Sequence, residues 1–373
     1  MGPEFPLAPP VAGLPAPLGL LLVLKGVGFF LHVAAMHLVY AGIPVAIAAA
    51  LLGGEHGRRL AARLGGALPV AVAVAVNLGI VPLLFLQVVF APVAYPATIL
   101  VAWPWFSIVP LLLVAYAGVY AFAMLPSAGW PGRLRLVAGA AAAGLVLAVG
   151  FIFANGFSLM ANGGRMLAIF DGTARFGAVG GLALNLGDPT LVPRWLMMLG
   201  LGVTTTAAYL LFDAQVLAAR ESEGYRVWAR RWAFRIHTLG LALFGAMGLW
   251  YIFGALSADV RGAVFAMPLP HGLAMLSALL PVVAWGLAWK ASRRAGGADL
   301  VVAVQLAALA ANVASRQWVQ SREIASVFDP ASLPLKVQSG PLAVFLVLVI
   351  LGLALVGWMV RAGMLAVRGE ARP

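Results

Sequence analysis

The stretch LVVAVQLAALAANVASRQWVQSREI, residues 300–324, decides how the whole chain is read. It begins as an almost unbroken apolar run. Between Arg316 and Glu323 it then carries two arginines, two glutamines, a tryptophan and a glutamate. About 20 apolar residues in a helix, rising 1.5 Å each, cross the ~30 Å hydrocarbon core of a bilayer. Spans ordinarily close on one or two anchors, so a polar cluster this dense marks a place where side chains have something to hold.

Working outward, the same apolar length recurs along the chain. Of its 373 residues, 63% are hydrophobic and only 10% charged, and the mean hydropathy is +1.01. A water-soluble domain of this length needs far more charged surface, so the composition is that of an integral membrane protein. Nine runs are long enough to span, near 26–52, 66–90, 97–125, 134–157, 192–217, 233–256, 267–290, 299–318 and 341–362. The expected architecture is all-α, with nine transmembrane helices in a single membrane domain covering 1–373. It divides into a Pro-rich N-terminal arm and interfacial segment (1–25), a nine-helix bundle (26–362) and a cytoplasmic tail (363–373). The arm has no basic residue ahead of the first apolar run and so lacks the n-region of a cleavable secretory signal. Cysteine is absent. This excludes disulfides, thiolate-bound zinc, iron–sulfur clusters and covalent c-type haem attachment.

The net charge of +12 reports topology rather than a nucleic-acid partner. Arg58, Arg59 and Arg63 follow span one, and Arg133 and Arg135 follow span three. Arg220, Arg226, Arg230, Arg231 and Arg235 follow span five, Lys290, Arg293 and Arg294 span seven, and Arg361, Arg368 and Arg372 span nine. With nine spans these 16 of the 24 basic residues share one face. The positive-inside rule makes that face cytoplasmic, which places the N-terminus in the periplasm and the C-terminus in the cytoplasm. GGLALNLGDPTLVP, 180–193, reads as an outer loop, and AARESEGYRVWARRW, 218–232, as an amphipathic cytoplasmic connector.

A titratable group inside a span is costly enough to be a functional candidate. His32 and His37 lie early in span one, Met197 and Met198 open span five, His271 opens span seven with Met275 one turn further, and Arg316 closes span eight. All fall in the outer half of the expected topology. Histidine and methionine from several helices at one depth are what a non-covalent haem requires, with arginines to pair its propionates. Competing readings are simpler. A lone helical histidine is more often a hydrogen-bonded packing residue, and methionine is common filler in apolar helices. His32 and His37, five apart and ~500° around the helix, cannot serve one iron together. His56 and His237 are expected among solvated groups or headgroups beside basic loops. Arg316 and Trp318 can act as interface anchors, and Lys25 can snorkel. Carboxylates are scarce: none occurs between Glu55 and Asp171, and Asp213 is the main acid expected at membrane depth.

Several short motifs, in order along the chain, resemble subunit I of the cytochrome bd quinol oxidases, a nine-helix family with this topology. Ser315-Arg316-Gln317-Trp318 is similar to that family's Gly-Arg-Gln-Pro-Trp signature without its proline. Ala154-Asn155-Gly156 stands where the family has Ala-Asn-Gly-Trp-Met. VPRWLMMLGLGVTTTAAYLL resembles the start of its helix five, RRWAFRIHTLGLALFGAMG its entry to helix six, and NLGIV (77–81) part of its helix two. The resemblance implies that His32 is the first-helix haem ligand. It places Met197 where helix five has a histidine, Met275 on the partner methionine of helix seven, and Asn312 on a glutamate. The helix-three carboxylates have no acidic counterpart, and the long quinol-binding loop shrinks to GALSADVRGAVFAMP.

The expected function is that of a membrane-embedded subunit of a bacterial respiratory electron-transfer complex in the inner membrane. It binds one or two b haems and passes electrons between a quinone pool and an outer-face redox partner, without itself reducing oxygen. His32 is the foremost ligand to haem iron, Met197 and Met275 are weaker donors, and Arg316 and His271 complete the expected cofactor site. Expected partners are the lipid bilayer and other membrane and periplasmic subunits, among them multihaem cytochromes or iron–sulfur proteins, with no nucleic acid. The alternative is a haem-free anchor or scaffold in such a complex. A transporter fits less well, because the chain shows no inverted repeat, no paired broken helices and little polar lining at mid-membrane.

Overall fold

Hydrocarbon offers no partner for a backbone N–H or C=O, so a chain this apolar satisfies its amides internally, as helix. The structure, a computed structural model, describes residues 6–10, 13–124, 132–175 and 179–368. Among these residues nine helices are long and apolar enough to cross a membrane: Leu18–Leu52, Gly54–Val89, Ala102–Met124, Gly132–Met160, Leu191–Leu217, Glu223–Ala255, Pro268–Arg293, Ala298–Ala325 and Ser339–Gly363. The protein is an all-helical multi-pass membrane protein. Each expected span has its helix. The third was expected to end at residue 125, which lies outside the described residues. Of the expected tail, residues 369–373 with Arg372 also lie outside them, and the helix runs on through Arg368.

Several helices run well past their apolar centres. The first starts at Leu18 rather than 26, the second at Gly54 rather than 66, the sixth at Glu223 rather than 233, and the eighth reaches Ala325 rather than 318. Hydropathy marks only the part that must sit in hydrocarbon, whereas a helix continues wherever its own hydrogen bonds persist and its charged side chains reach water. Most of the expected connector at 218–232 is therefore helix. Ser222 starts it by accepting the backbone N–H of Tyr225 on its hydroxyl.

In chain order the helices are α1 (Leu18–Tyr40), α2 (Gly42–Leu52), α3 (Gly54–Val89), α4 (Ala91–Leu100), α5 (Ala102–Met124), α6 (Gly132–Met160), α7 (Gly163–Thr173), α8 (Leu191–Phe212), α9 (Glu223–Leu249), α10 (Ala258–Ala266), α11 (Pro268–Arg293), α12 (Ala298–Ala325) and α13 (Ser339–Arg368). One group of four packs α1, α3, α5 and α6 together, and a second packs α8, α9, α11 and α12. Helix α1 belongs to the first group but also lies against α8 and α12 of the second. The two groups join along that seam. Helix α13 stands apart, with Val347, Ile350, Leu353 and Val356 more than half exposed and an edge contact from Phe345 to Phe85 at 5.6 Å. Leu14 in the N-terminal arm pairs as a single parallel bridge with the segment leading into α13, its N–H bonded to the Pro334 carbonyl at 2.9 Å.

The tightest crossing is that of α8 on α9. A Cβ on Gly200 would sit 2.5 Å from the Phe244 nitrogen, and one on Gly240 would sit 2.8 Å from the Thr204 nitrogen. Two backbones can approach this closely only where side chains are missing. At the opposite end of α8 from Arg194, an ionic bracket ties α3 to the second group. Arg63 bonds both Asp213 oxygens, at 2.6 and 2.9 Å, and Arg59 donates to Glu221 at 3.0 Å.

Two outcomes follow from these contacts. Gly240→Leu forces α8 and α9 apart, at a cost of about 1–3 kcal/mol from overpacking, and is expected to lower the thermal unfolding midpoint in detergent while Gly245→Leu, in open space, does not. The Glu221 carboxyl is held below its usual range, chiefly by the hydrogen bond from Arg59. A depressed folded value means stability that is present above the unfolded pKa and lost as pH falls through the folded one. Acid-induced loosening between neutral pH and pH 3 should therefore be smaller in Glu221→Gln than in the wild type, which differential scanning at stepped pH measures.

Candidate functional site

The polar cluster that closes α12 faces inward, onto the seam. Helices α1 and α12 run antiparallel there, which pairs Lys25 with Gln320 and Phe29 with Arg316. The Lys25 ammonium donates to the Gln320 side-chain oxygen at 3.4 Å and stands 4.6 Å above the Phe90 ring. It is only 2% exposed and lies within α1, so it is not the snorkelling residue expected ahead of a span. The Arg316 guanidinium lies 5.0 Å from the Phe29 ring centre and 6.0 Å from that of Phe157. No hydrogen bond or ion pair reaches it from the described residues. Arg194 on α8 is the contrast: it bonds Glu323 at 2.9 Å, the Thr190 hydroxyl at 3.1 Å and the Tyr251 hydroxyl at 3.4 Å. Glu323 is thus committed to one arginine, and the other keeps its charge for something else.

Two cavities flank this wall. One, of about 370 Å³, lies in the first helical group and is lined by Lys25, His32, Tyr40, Trp195 and Gln317 among others. The other, of about 430 Å³, lies in the second group and is lined by His37, Met197, Arg261, Asn312, Ser315 and Glu323 among others. Phe29, Phe157, Arg194, Met198, Arg316 and Gln320 line both. Both volumes fall in the ~300–1,000 Å³ range of small-molecule and cofactor sites. The remaining surface is mostly aliphatic and aromatic, so charge within it is concentrated on the dividing wall.

The first cavity holds His32 in a fixed orientation. Its Nδ1 lies 2.8 Å from the Ala75 carbonyl oxygen. A carbonyl can only accept, so Nδ1 carries the proton and Nε2 keeps its lone pair. This is the arrangement in which a metal-ligating histidine is oriented and its tautomer fixed by a backbone carbonyl. Gly79, in the NLGIV motif, makes it possible, since a Cβ there would come within 2.9 Å of the imidazole.

The other sequence-expected residues are distributed unevenly. Met197 lines the second cavity and Met198 lines both. Met275 lines neither; it is 44% exposed on the outer side of α11, with Ala274 and Ser277 on the cavity side instead. His271, at the start of α11, packs on Phe265 at 5.8 Å and lines neither cavity. The structure therefore brings His32, Met197 and Arg316 to the seam and leaves Met275 and His271 away from it. Asn312 bonds Ser277 at 2.9 Å.

Three residues emerge that sequence reasoning set aside. His37 is buried and lines the second cavity. Its offset of five from His32, which ruled out a shared iron, is what turns it toward the other cavity. Glu323 was present in the polar cluster, but only the helix extension to Ala325 takes it inside. His237 is fully buried between α9 and α12 rather than among headgroups. The Ala-Asn-Gly motif proves to hold the loop at 180–193: the Asn155 side-chain oxygen accepts the Asn185 N–H at 2.9 Å, and the Asn185 amide donates to the Ser158 hydroxyl at 3.1 Å.

No family model matches the chain, and no curated protein matches it significantly. Among solved structures, the bd oxidase from Geobacillus thermodenitrificans superposes with a TM-score of 0.64 at 15% identity, over 93% of this chain and 98% of that one. The fold is that of a bd oxidase chain. The bd-like architecture expected from the motifs is thereby met, and at this identity the likeness concerns the fold.

Removing one partner of a buried ion pair strands the other charge, at about 3–5 kcal/mol. Glu323→Gln is accordingly expected to destabilise the seam far more than Asp259→Asn, whose carboxylate pairs with Arg322 at the exposed surface. Thermal unfolding of the two variants in the same detergent measures the difference.

Proposed function

We propose that this bd-like protein is a membrane-embedded subunit of a bacterial respiratory electron-transfer complex, residing in the inner membrane with its N-terminus periplasmic and its C-terminus cytoplasmic. The reading supports passage of electrons between the quinone pool and an outer-face redox partner. The observation that carries it is His32, an imidazole whose Nδ1 proton is tied to a backbone carbonyl, beside a cavity walled by an arginine with no carboxylate of its own. Those residues fit a b-type haem. His32 would supply an axial nitrogen through Nε2, and Arg316 with Lys25 would neutralise the propionates. When bound, the haem supplies one-electron redox chemistry, and the protein supplies ligation, orientation and a dry surround.

The chain's own residues limit what else the site does. Aromatic and aliphatic side chains exclude water from both cavities. Arg316, whose charge meets no carboxylate among the described residues, sets a positive field that favours the electron-rich state of a cofactor beside it. Among the described residues Glu323 is the one carboxylate in the lining, at the second cavity, and Arg194 holds it. Oxygen reduction consumes protons and needs relay carboxylates or histidines at membrane depth; with Glu323 engaged, the site suits electron passage rather than oxygen reduction. Multihaem cytochromes or iron–sulfur proteins are the proposed partners at the outer face. The competing reading, a haem-free scaffold, is favoured by the outward placement of Met275.

The purified protein is expected to show a Soret band. His32→Ala should cut haem retention at that site at least tenfold, a loss of about 1.4 kcal/mol or more in binding, while Met275→Leu leaves it unchanged. A protein without any Soret band, purified from cells supplied with haem, favours the scaffold and refutes the proposal.

A further inference from the structure

The second cavity is not sealed. Leu249 of α9 and Val282 of α11 line it, yet they are 62% and 47% exposed on the outside of the bundle, which in a membrane faces lipid. On α11 the lining positions Ala274, Ala278 and Val282 recur every four residues and so share one face of the helix. They extend ~12 Å at 1.5 Å per residue, close to the ~15 Å depth of one leaflet of hydrocarbon. Across from them a Cβ on Gly245 would meet nothing within 4 Å, and one on Gly248 would meet only the Met197 sulfur at 3.7 Å. Glycines normally let membrane helices close on each other; these border a gap. The gap has two defined ends. About one turn beyond Val282 the Trp285 indole donates to the Thr238 hydroxyl at 2.9 Å and pins α11 to α9. At the other end lies α10, between the span that ends at Ala255 and the one that begins at Pro268, and therefore at headgroup level.

We propose that this cavity is a lateral site for an anionic phospholipid: one acyl chain enters between α9 and α11, and the phosphate rests on Arg261 of α10. The walls suit a hydrocarbon chain. A void of about 430 Å³ open to the bilayer leaves its lining without dispersion partners until a chain fills it. Charge selects the headgroup. Arg261 lines the cavity, its hydrogen bond goes to the Phe253 carbonyl at 3.4 Å, and no carboxylate pairs with it among the described residues. The neighbouring acid on α10, Asp259, is taken by Arg322 at 3.3 Å. A guanidinium with free N–H groups at headgroup level recognises phosphate, which an uncharged isoprenoid headgroup does not offer. Iron has little to hold it here: the thioethers of Met197 and Met198 stand on one helix, and the His37 Nε2 has no exposed surface. The inference goes beyond the electron-transfer reading and does not depend on a haem in the first cavity.

The test is native mass spectrometry of the intact purified chain after incubation with mixed phosphatidylglycerol and phosphatidylcholine and repeated detergent exchange. The wild type is expected to retain one phosphatidylglycerol per chain in preference to phosphatidylcholine. Ala278→Trp, which blocks the slot from its exposed side, should abolish retention. Arg261→Gln should lower it about tenfold, the size of one lost charge-assisted hydrogen bond. Leu279→Trp, at a position 52% exposed but outside the lining, keeps the lipid and controls for added bulk at the surface. Circular dichroism checks that each variant is folded, and should Ala278→Trp fail to fold, Arg261→Gln carries the test. A wild type that retains no phospholipid overturns the inference. So does equal retention in the wild type and every variant, which marks lipid of the surrounding annulus, or retention of both headgroups alike. Extraction of an isoprenoid quinone or a porphyrin that Ala278→Trp removes also overturns it, by giving the slot a different occupant.

Discussion

A permanently charged guanidinium, that of Arg316, sits at the junction of two apolar helical groups, cushioned on the faces of Phe29 and Phe157 and bonded to no carboxylate among the described residues. Burial of an arginine in this way is expensive in a low-dielectric interior. Cation–π contact offsets only part of that cost. The rest of the site is arranged around it: Glu323 is drawn off by Arg194, Lys25 is placed on the same wall without an acid of its own, and the cavities open on either side. Two interior cations without a carboxylate among the described residues are the feature on which the proposed cofactor reading rests.

Helix α1 makes this possible mechanically. It packs with α3 and α6 on one side and with α8 and α12 on the other, so its successive faces look into different cavities. Close packing holds those faces to their tasks. Gly79 lets α3 come up to the His32 ring, and Gly202 lets α8 lie beside His37. Small residues here set how closely α3 and α8 approach the two imidazoles. At the other end of the second group, Arg63 and Asp213 lock α3 to α8, and the seam is held at both ends.

The departures from the bd quinol oxidase pattern are chemically coherent. Met197 stands where the resemblance implies a helix-five histidine, and Met275, expected as its partner from helix seven, looks outward. Between Glu55 and Asp171 the sequence carries no acid, and the proposed reading as an electron-transfer rather than a proton-consuming protein draws on that scarcity.

Length, hydropathy and the distribution of arginine determined the membrane class, the nine spans and their order, because the cost of exposing a polar backbone to hydrocarbon acts locally and is written into every apolar run. The motifs around Asn155 and Arg316 were enough to anticipate the bd-like fold, and the resemblance singled out His32, which the structure places beside a cavity. Which side chains meet was another matter. Met275 and Ala274 are neighbours in sequence, but only the rotation of α11 decides that the alanine faces the cavity and the methionine faces out. Glu323 and Arg194 are 129 positions apart, and His37 gains its meaning from a threonine hydroxyl 168 positions away. Helix rotation and crossing are set by packing among all the helices at once, so the partition into two cavities, and the side chains that line each, exist only in the tertiary structure.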